Sequence, residues 1–416
     1  MIRSFYTRMA ILVQIGIAFG FFIGCSVFQS ISNSESERGS PPTAAELEQR
    51  LNEINSELTA DPDDAEAYYQ KGRVLNMLAH RYNAPEQRTG YYRQLRQALQ
   101  KSGSLFDAST NRRGSEKVDE LQKVSWSYEH NQGVEILRTD STLNSSDFTR
   151  AAAHFNNAIT IIPDSAVSYK MKAQAHYRNH QVDQAVETLE AGYNRIEQPP
   201  SSLLEQLAFL YLEEKQHRKA IELYEKAESF SDKNLNLIHG LANAYIMAGE
   251  HAGAAELLQA LVESQPENVI YLESYGTELY KLGIQAYDSL MAAATDSSEV
   301  RQYYRRANSL VDRAANRLRE AFELNQENIG LKRQLAYVYQ NQAAHLKQAK
   351  SRLGASLQPE IEQKIEASLS SAISLFEELV NQDPDQTQLY WMQLYRAYAY
   401  LGMQQKATEA KAKANL

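Results

Sequence analysis

The chain has 416 residues, a net charge of −9, 18 glycines, 10 prolines and one cysteine. The acidic balance argues against nucleic acid, which demands a basic face. A lone cysteine leaves no disulfide framework, so the fold must rest on packing. A hydrophobic content of 43% suffices for a continuous core. Abundant Ala, Leu, Glu, Gln and Lys beside few Gly and Pro predict an all-α protein.

Residues 1–25, MIRSFYTRMAILVQIGIAFGFFIGC, open with Arg3 and Arg8 and continue as an apolar stretch broken only by Gln14. The stretch is short for a membrane span of about 20 residues and suits the core of an export signal. Its end, Phe22-Ile23-Gly24-Cys25, resembles the lipobox of a bacterial lipoprotein signal peptide. Phe22 and Ile23 depart from the usual Leu and the usual Ala or Ser. The resemblance implies that Cys25 is lipidated, becomes the mature N-terminus and carries three acyl chains. At about 0.8 kcal/mol per buried methylene, several chains anchor stably where one does not. The other reading is an uncleaved signal anchor. Residues 26–42, SVFQSISNSESERGSPP, have no helical period and read as a flexible Ser-rich tether. Ser26 rather than Asp after the cysteine implies passage to the outer membrane where the enterobacterial sorting pattern holds.

Thr43 and Glu46 have the spacing of a capping box, which predicts a helix from there to Thr59, ending before Asp61-Pro62. Further on, a pattern of 34 or 35 residues recurs between residues 132 and 268. With slot 1 at residues 132, 166, 201 and 235, slot 20 holds Ala151, Ala185, Ala220 and Ala254, and slot 24 holds Phe155, Leu189, Tyr224 and Leu258. Pro163 and Pro266 occupy slot 32. Such a unit is too small to bury its own apolar face, so neighbours must stack. The slots resemble the tetratricopeptide repeat, with Leu207, Ala208, Tyr211, Ala220, Tyr224 and Ala227 in one unit and Leu241, Ala242, Tyr245, Gly249, Ala254 and Leu258 in the next. The last unit has Trp391, Leu394, Tyr398, Gly402 and Ala407, with Tyr395 where a small residue is usual. The resemblance covers most of residues 43–416 and implies a TPR-type α-solenoid of helical hairpins, a right-handed superhelix.

The units at about 269–328 and 329–386 are longer, yet apolar spacing continues through them: Val300, Tyr304, Ala307, Val311, Ala314 and Leu318, then Ile361, Ile365, Leu369, Ala372, Phe376 and Leu379. An unbroken 3.6-residue period predicts elongated hairpins rather than loops, packed together and projecting. Asp296-Ser-Ser-Glu299 and Pro359 mark the starts of their second helices. Residues 65–165 hold a similarly elongated stretch of open register, and residues 403–416 read as a polar C-terminal cap.

No nucleophile motif, phosphate loop or paired-carboxylate signature appears, so no catalytic role and no cofactor or metal is expected. His176 and His180 are four apart, a ligand spacing on a helix, but no third ligand joins them and a structural role is expected. Asp61-Pro-Asp-Asp64 and Asp383-Pro-Asp385 read as turns and caps. The basic run Arg301, Arg305, Arg306, Arg313, Arg317 and Arg319, with Tyr303 and Tyr304, reads as a solvated face, with docking of an acidic partner or an anionic envelope polymer as the alternative.

In the resembled family, binding usually uses slots 2, 5, 9, 12 and 13 of the first helices. Here these include Tyr69, Arg73, Lys170, Gln174, Tyr177, Phe209, His239, Asn243, Tyr280, Arg333, Tyr337 and Asn341, an amphipathic concave face suited to a peptide or helix. A chaperone-type carboxylate clamp needs Lys then Asn at slots 5 and 9 of one unit. Lys170 is followed by Gln174, and His239 precedes Asn243, so that activity does not carry over. The expectation is a non-catalytic, lipid-anchored scaffold that gathers proteins or peptides of the bacterial cell envelope, held at the outer membrane through its lipid. A surface lipoprotein binding glycan or another nutrient ligand is the alternative, disfavoured by having only two Trp as sugar-stacking platforms.

Overall fold

The computed structural model describes residues 41–138, 143–228, 234–295 and 298–416. The signal segment with Cys25, nearly all of the tether, and Asp296 and Ser297 lie outside the described residues. The described residues form helices and turns only, seventeen α-helices in all, consecutive ones paired as antiparallel hairpins. They fall into two compact units, one ending at Leu210 and the other beginning at Tyr211.

In the first unit, α1 (Ala44–Ala60) leads into the hairpin of α2 (Ala65–Ala79) and α3 (Thr89–Ala108), joined through a 3-10 turn at Pro85–Arg88. Next come α4 (Arg112–Arg138) with α5 (Ser145–Ile161), then α6 (Ala166–Arg178) with α7 (Val182–Arg195); the unit ends inside α8 (Ser201–Glu213). The start of α1 is the expected capping box: the Thr43 backbone N–H donates to Glu46 at 2.6 Å, and the Glu46 N–H donates to Thr43 Oγ1 at 3.3 Å. Asn144 starts α5 with a second capping box, and Asp64 and Ser165 cap α2 and α6 by accepting from one backbone N–H of the first turn.

The register left open between residues 65 and 165 resolves here, with one correction. Slot 1 at residue 132 falls inside α4, which ends at Arg138, so only α5 keeps the repeat's slots in this unit. Gly133 then does the work of slot 8. A Cβ there would lie 2.7 Å from Phe155 Cζ, so only a glycine lets α4 approach that ring.

A buried polar knot ties this unit together. Glu129 on α4 is fully out of solvent and accepts from Arg88 Nη1 at 2.8 Å, Tyr92 Oη at 2.8 Å, His154 Nδ1 at 2.7 Å and Asn157 Nδ2 at 3.2 Å. Burial pushes the Glu129 carboxyl up, but the hydrogen bonds and charges of His154 and Arg88, with the bond from Tyr92, outweigh it and hold it below the usual carboxylate range.

The second unit completes α8 and adds α9 (His217–Glu228), α10 (Leu235–Ala248), α11 (His251–Ser264), α12 (Val269–Ala292), α13 (Ser298–Leu324), α14 (Ile329–Ala349), α15 (Gln358–Gln382), α16 (Thr387–Tyr400) and α17 (Gln404–Lys413). Asn234, Asn268 and Asn328 are the N-caps of α10, α12 and α14. One apolar cluster runs through the unit from Ala242 to Ala410. Helices α12 and α13 have 24 and 27 residues, against 14 each for α10 and α11. Their long contact is opened by Gly276 and Gly283, two turns apart on α12. A Cβ at Gly276 would stand 3.1 Å from the Ala314 carbonyl oxygen, and one at Gly283 would stand 2.6 Å from Val311 Cγ2.

Polar bonds then join this hairpin to the next. Tyr304 Oη donates to Glu360 at 3.1 Å, and Asp312 accepts from Gln342 at 2.7 Å and Lys364 at 2.6 Å. Tyrosines repeat this device at the end of the chain: Tyr390, Tyr398 and Tyr400 on α16 donate to Asp383, Glu377 and Glu362 at 2.6, 2.5 and 2.8 Å. A phenol supplies an apolar body and a single donor, which suits a helix interface where an acid must be met. The abundance of Tyr over Trp, 25 against two, has this use in the packing.

Four turns between first and second helices share a left-handed residue: His180 (φ 59°), Lys215 (φ 61°), Gly249 (φ 76°) and Gly402 (φ 72°). All four fall at slot 15 of their units. His180 therefore lies beyond the end of α6 at Arg178, and the expectation that His176 and His180 share a helix face is corrected. His176 instead meets Gln181 Oε1 through Nδ1 at 3.2 Å.

Candidate functional site

The candidate residues lie on the first helices of the hairpins in both units. In the first unit, Tyr69 and Arg73 on α2 are drawn into the chain's own contacts. Lys117 Nζ covers the Tyr69 ring at 4.6 Å, and Arg73 Nη1 donates to Gln70 at 3.2 Å. They are not neighbours of Lys170, because α4 stands between α2 and α6. Lys170 and Gln174 on α6 face the start of α8, where Gln206 Nε2 donates to the Lys170 carbonyl at 3.4 Å. Tyr177 meets Phe209 edge-on at 5.8 Å between ring centres. Burial lowers the Lys170 ammonium and raises the Glu205 carboxyl, each partly offset by the charge of the other.

The second unit offers a more continuous surface. On α10, His239 and Asn243 face each other through Nε2 and Nδ2 at 3.0 Å, and the His239 ring lies 5.6 Å from that of Tyr271 on α12. Between α12 and α14 two amides form a ladder: Gln334 Nε2 donates to Thr277 Oγ1 at 2.7 Å, and Asn341 Nδ2 donates to Tyr280 Oη at 2.9 Å. Tyr337 is fixed against Phe376 at 5.4 Å, and Arg333 pairs with Asp383 at 3.3 Å. The structure thus brings His239 and Asn243 together, and Tyr280 with Asn341. Arg333 and Tyr337 turn partly toward α15 and its end.

Tyr271, Glu273, Thr277 and Gln334 complete this surface and were missed by the sequence reading. Glu273 and Thr277 occupy slots 5 and 9 of the unit from Val269, so the slot rule could have found them. Glu273 is half-buried, burial raises its carboxyl, and it has no side-chain hydrogen bond or ion pair among the described residues. A carboxylate desolvated without a partner is costly, and a cation or a row of N–H donors from outside would relieve it. Tyr271 and Tyr280 flank it in sequence, and their phenols too are raised by burial.

The remaining candidates are engaged within the chain or, like Arg305 and Arg306, exposed on its surface. Arg313 donates to Tyr275 Oη at 2.6 Å, Arg317 pairs with Glu320 at 2.7 Å and Arg319 donates to Asn316 at 3.2 Å, while Tyr304 is buried. Asp64 caps α2, and Asp383 is engaged by Tyr390 and Arg333. Trp126 donates to Ser165 and Ser168 at 3.1 Å and stacks on His130, and Trp391 is covered by Lys413 at 4.2 Å, so neither indole is an open platform. Among the described residues no three His, Cys, Asp or Glu side chains gather as a metal would require. No helix among them is long and apolar enough to cross a membrane.

Residues 211–273 match the tetratricopeptide repeat family model. They hold the end of α8, α9 to α11 and the first turn of α12, the stretch where the repeat spacing is most regular. Among solved structures, the chain is similar to the C-terminal part of a TPR repeat-containing protein from Cytophaga hutchinsonii, at 13% identity over 70% of this chain and 93% of that one, with a TM-score of 0.44. It is similar to YrrB, a TPR protein with an unusual peptide-binding site, at 14% identity over 54% and 93% of the two chains, with a TM-score of 0.37. A third is MamA from Desulfovibrio magneticus RS-1, at 15% identity over 50% and 97%, with a TM-score of 0.35. No curated protein matches the chain.

Proposed function

We propose that this protein is a non-catalytic scaffold that holds proteins or peptides of a bacterial cell envelope on the first-helix surfaces of its hairpins. Acyl chains on Cys25 tether it to the outer membrane. The observation that carries the binding role is the α12–α14 surface, where the half-buried Glu273, unpaired among the described residues, shares α12 with Tyr271 and Tyr280 beside an amide ladder. Such a surface offers one charge to pair, phenols for contact area and amides for backbone groups, the composition of a peptide groove. The tether reading is supported by the charged start, the apolar stretch and the single cysteine at its end.

Crosslinking the intact protein in its native cells, followed by pull-down, tests the role. Specific envelope partners are expected with the wild type and are expected to be depleted by Glu273→Lys combined with Tyr280→Ala. Recovery of the protein alone, or the same partners with the double variant, overturns the reading. Cell fractionation of Cys25→Ser tests the tether: release from the membrane is expected, and unchanged retention excludes the lipid.

A further inference from the structure

We propose that a cleft in the first unit, formed mainly by second helices, takes up an acidic peptide segment of a partner protein. The cleft has a volume of about 770 Å³ and lies between α3, α4, the end of α5 and the flanks of α6 and α7. One stripe of α3 forms a wall: Arg93, Arg96, Gln100 and Ser104, spaced so that each faces the same way. The floor is apolar, with Leu99, Val118, Ile159 and Pro163.

The charge of the occupant follows from which cations lack partners. Arg195, which also lines the cleft, is paired with Asp164 at 3.2 Å, and Arg88, five residues before Arg93, is locked to Glu129. Arg93 and Arg96 have neither an ion pair nor a hydrogen bond among the described residues, although the protein as a whole is acidic. Guanidinium forks aimed at an apolar-floored cleft fit carboxylates. The acids of the cleft, Asp107 and Asp119, line its other half. Asp107 lies fourteen residues along α3 from Arg93, about 21 Å at the helical rise, and Asp119 on α4 follows Val118, which packs beside Gly103. The cleft is therefore polar end to end: acidic residues of the occupant belong at the Arg93–Arg96 end, neutral or basic ones toward Asp107.

The extent argues for a peptide over a small anion. From Arg93 to Ser104 the wall is about 16 Å long, the reach of roughly five extended residues. Gln100 offers an amide along the wall, and the Ser104 and Thr160 hydroxyls, which donate to the Lys101 and Asn156 carbonyls at 2.9 Å, keep acceptor capacity for peptide N–H groups. This contact is distinct from the first-helix surfaces and rests on the scaffold reading only in taking the occupant to be a polypeptide.

The test is fluorescence anisotropy of the purified full-length protein with a fluorescein-labelled hexapeptide bearing two adjacent glutamates, then apolar residues and a lysine at its far end. Saturable binding is expected, weakened about tenfold or more by Arg93→Glu with Arg96→Glu. Gly103→Phe is expected to weaken it as much without changing charge, because a Cβ there stands an ordinary 3.6 Å from Val118 and the ring would fill the cleft. The variants are compared at matched helix content by circular dichroism. A control peptide with lysines for the glutamates is expected not to bind. Glu273→Lys with Tyr280→Ala is expected to leave the probe's affinity unchanged, which separates this cleft from the first-helix surface. Equal affinity for the wild type and both cleft variants, equal binding of the lysine peptide, or no saturation at millimolar protein overturns the proposal.

Discussion

Glu129 accepts a hydrogen bond from His154 at 2.7 Å through one carboxylate oxygen while the other meets Arg88 at 2.8 Å, all three side chains being shut away from solvent. Removing one member of such a group leaves the other charge buried without compensation, which costs about 3–5 kcal/mol. Glu129→Gln keeps the shape and strands Arg88. The expected result is a loss of about 3 kcal/mol in the unfolding of the first unit by urea, and a loss under about 1 kcal/mol would show that the knot is not structural.

The same carboxyl sets an acid limit. It is held low in the folded state, so its stabilisation is present above the ordinary carboxylate value of 4.5 and is lost as pH falls below it. Histidines act earlier. Burial pushes His130 down to about 4, and His80 likewise, from an ordinary 6.5, the charges of Glu129 and Arg88 acting on His80 in opposite directions. The unfolded chain then binds more protons than the folded one between those limits, so stability rises with pH there. A melting temperature that falls from pH 6.5 to 5, with a shallower fall in His130→Gln, is expected. A flat profile in the wild type would contradict it.

Slot 15 makes a prediction about turns. His180 and Lys215 adopt the left-handed conformation that Gly249 and Gly402 adopt at the same place. That conformation costs a non-glycine residue about 1–2 kcal/mol, partly offset by the greater freedom of glycine in the unfolded chain. His180→Gly and Lys215→Gly should each stabilise by about 0.5–1 kcal/mol, and Gly249→Ala should destabilise by a similar amount. Thermal melts of the three variants decide the matter, and destabilisation by both glycine variants would refute the strain argument.

In the long hairpin, Gly276→Ala places a methyl group 3.1 Å from the Ala314 carbonyl oxygen and 2.8 Å from Leu318 Cγ. Backbone cannot yield as a flexible side chain can, so a loss of about 1–3 kcal/mol is expected. Gly253→Ala, whose added atom would touch only the Tyr245 ring from 3.2 Å, is the milder comparison. Equal stability of the two variants would mean that α12 and α13 do not approach as closely as described.

Much of the architecture was legible because helical burial leaves a period. Ala185 and Ala220 in slot 20, or Leu189 and Tyr224 four residues on, are buried for the same reason in each hairpin. The pattern failed at residue 132 because α4 is long and ends early, so its slots are shifted while those of α5 are kept. The knot around Glu129 was not legible: Arg88, Tyr92, Glu129, His154 and Asn157 come from three separate segments, and nothing in their spacing announces that they converge. At the first-helix surfaces, slot counting located Tyr280 and Asn341 but not that they bond to each other. Glu273 stands at slot 5 and was open to the same count, but its lack of a partner among the described residues becomes visible only when every neighbouring side chain is in place.

The phenols that bridge α16 to the acids before it also give the molecule an upper limit in alkali. Burial, with the carboxylate each phenol meets, pushes Tyr400 up to about 12 and Tyr390 and Tyr398 further, from an ordinary 10. Below 10 their contribution is complete; as base is added the unfolded chain sheds those protons first, and the contribution drains away. Absorbance at 295 nm should therefore record these three ionising together with the melting of the last helices rather than before it.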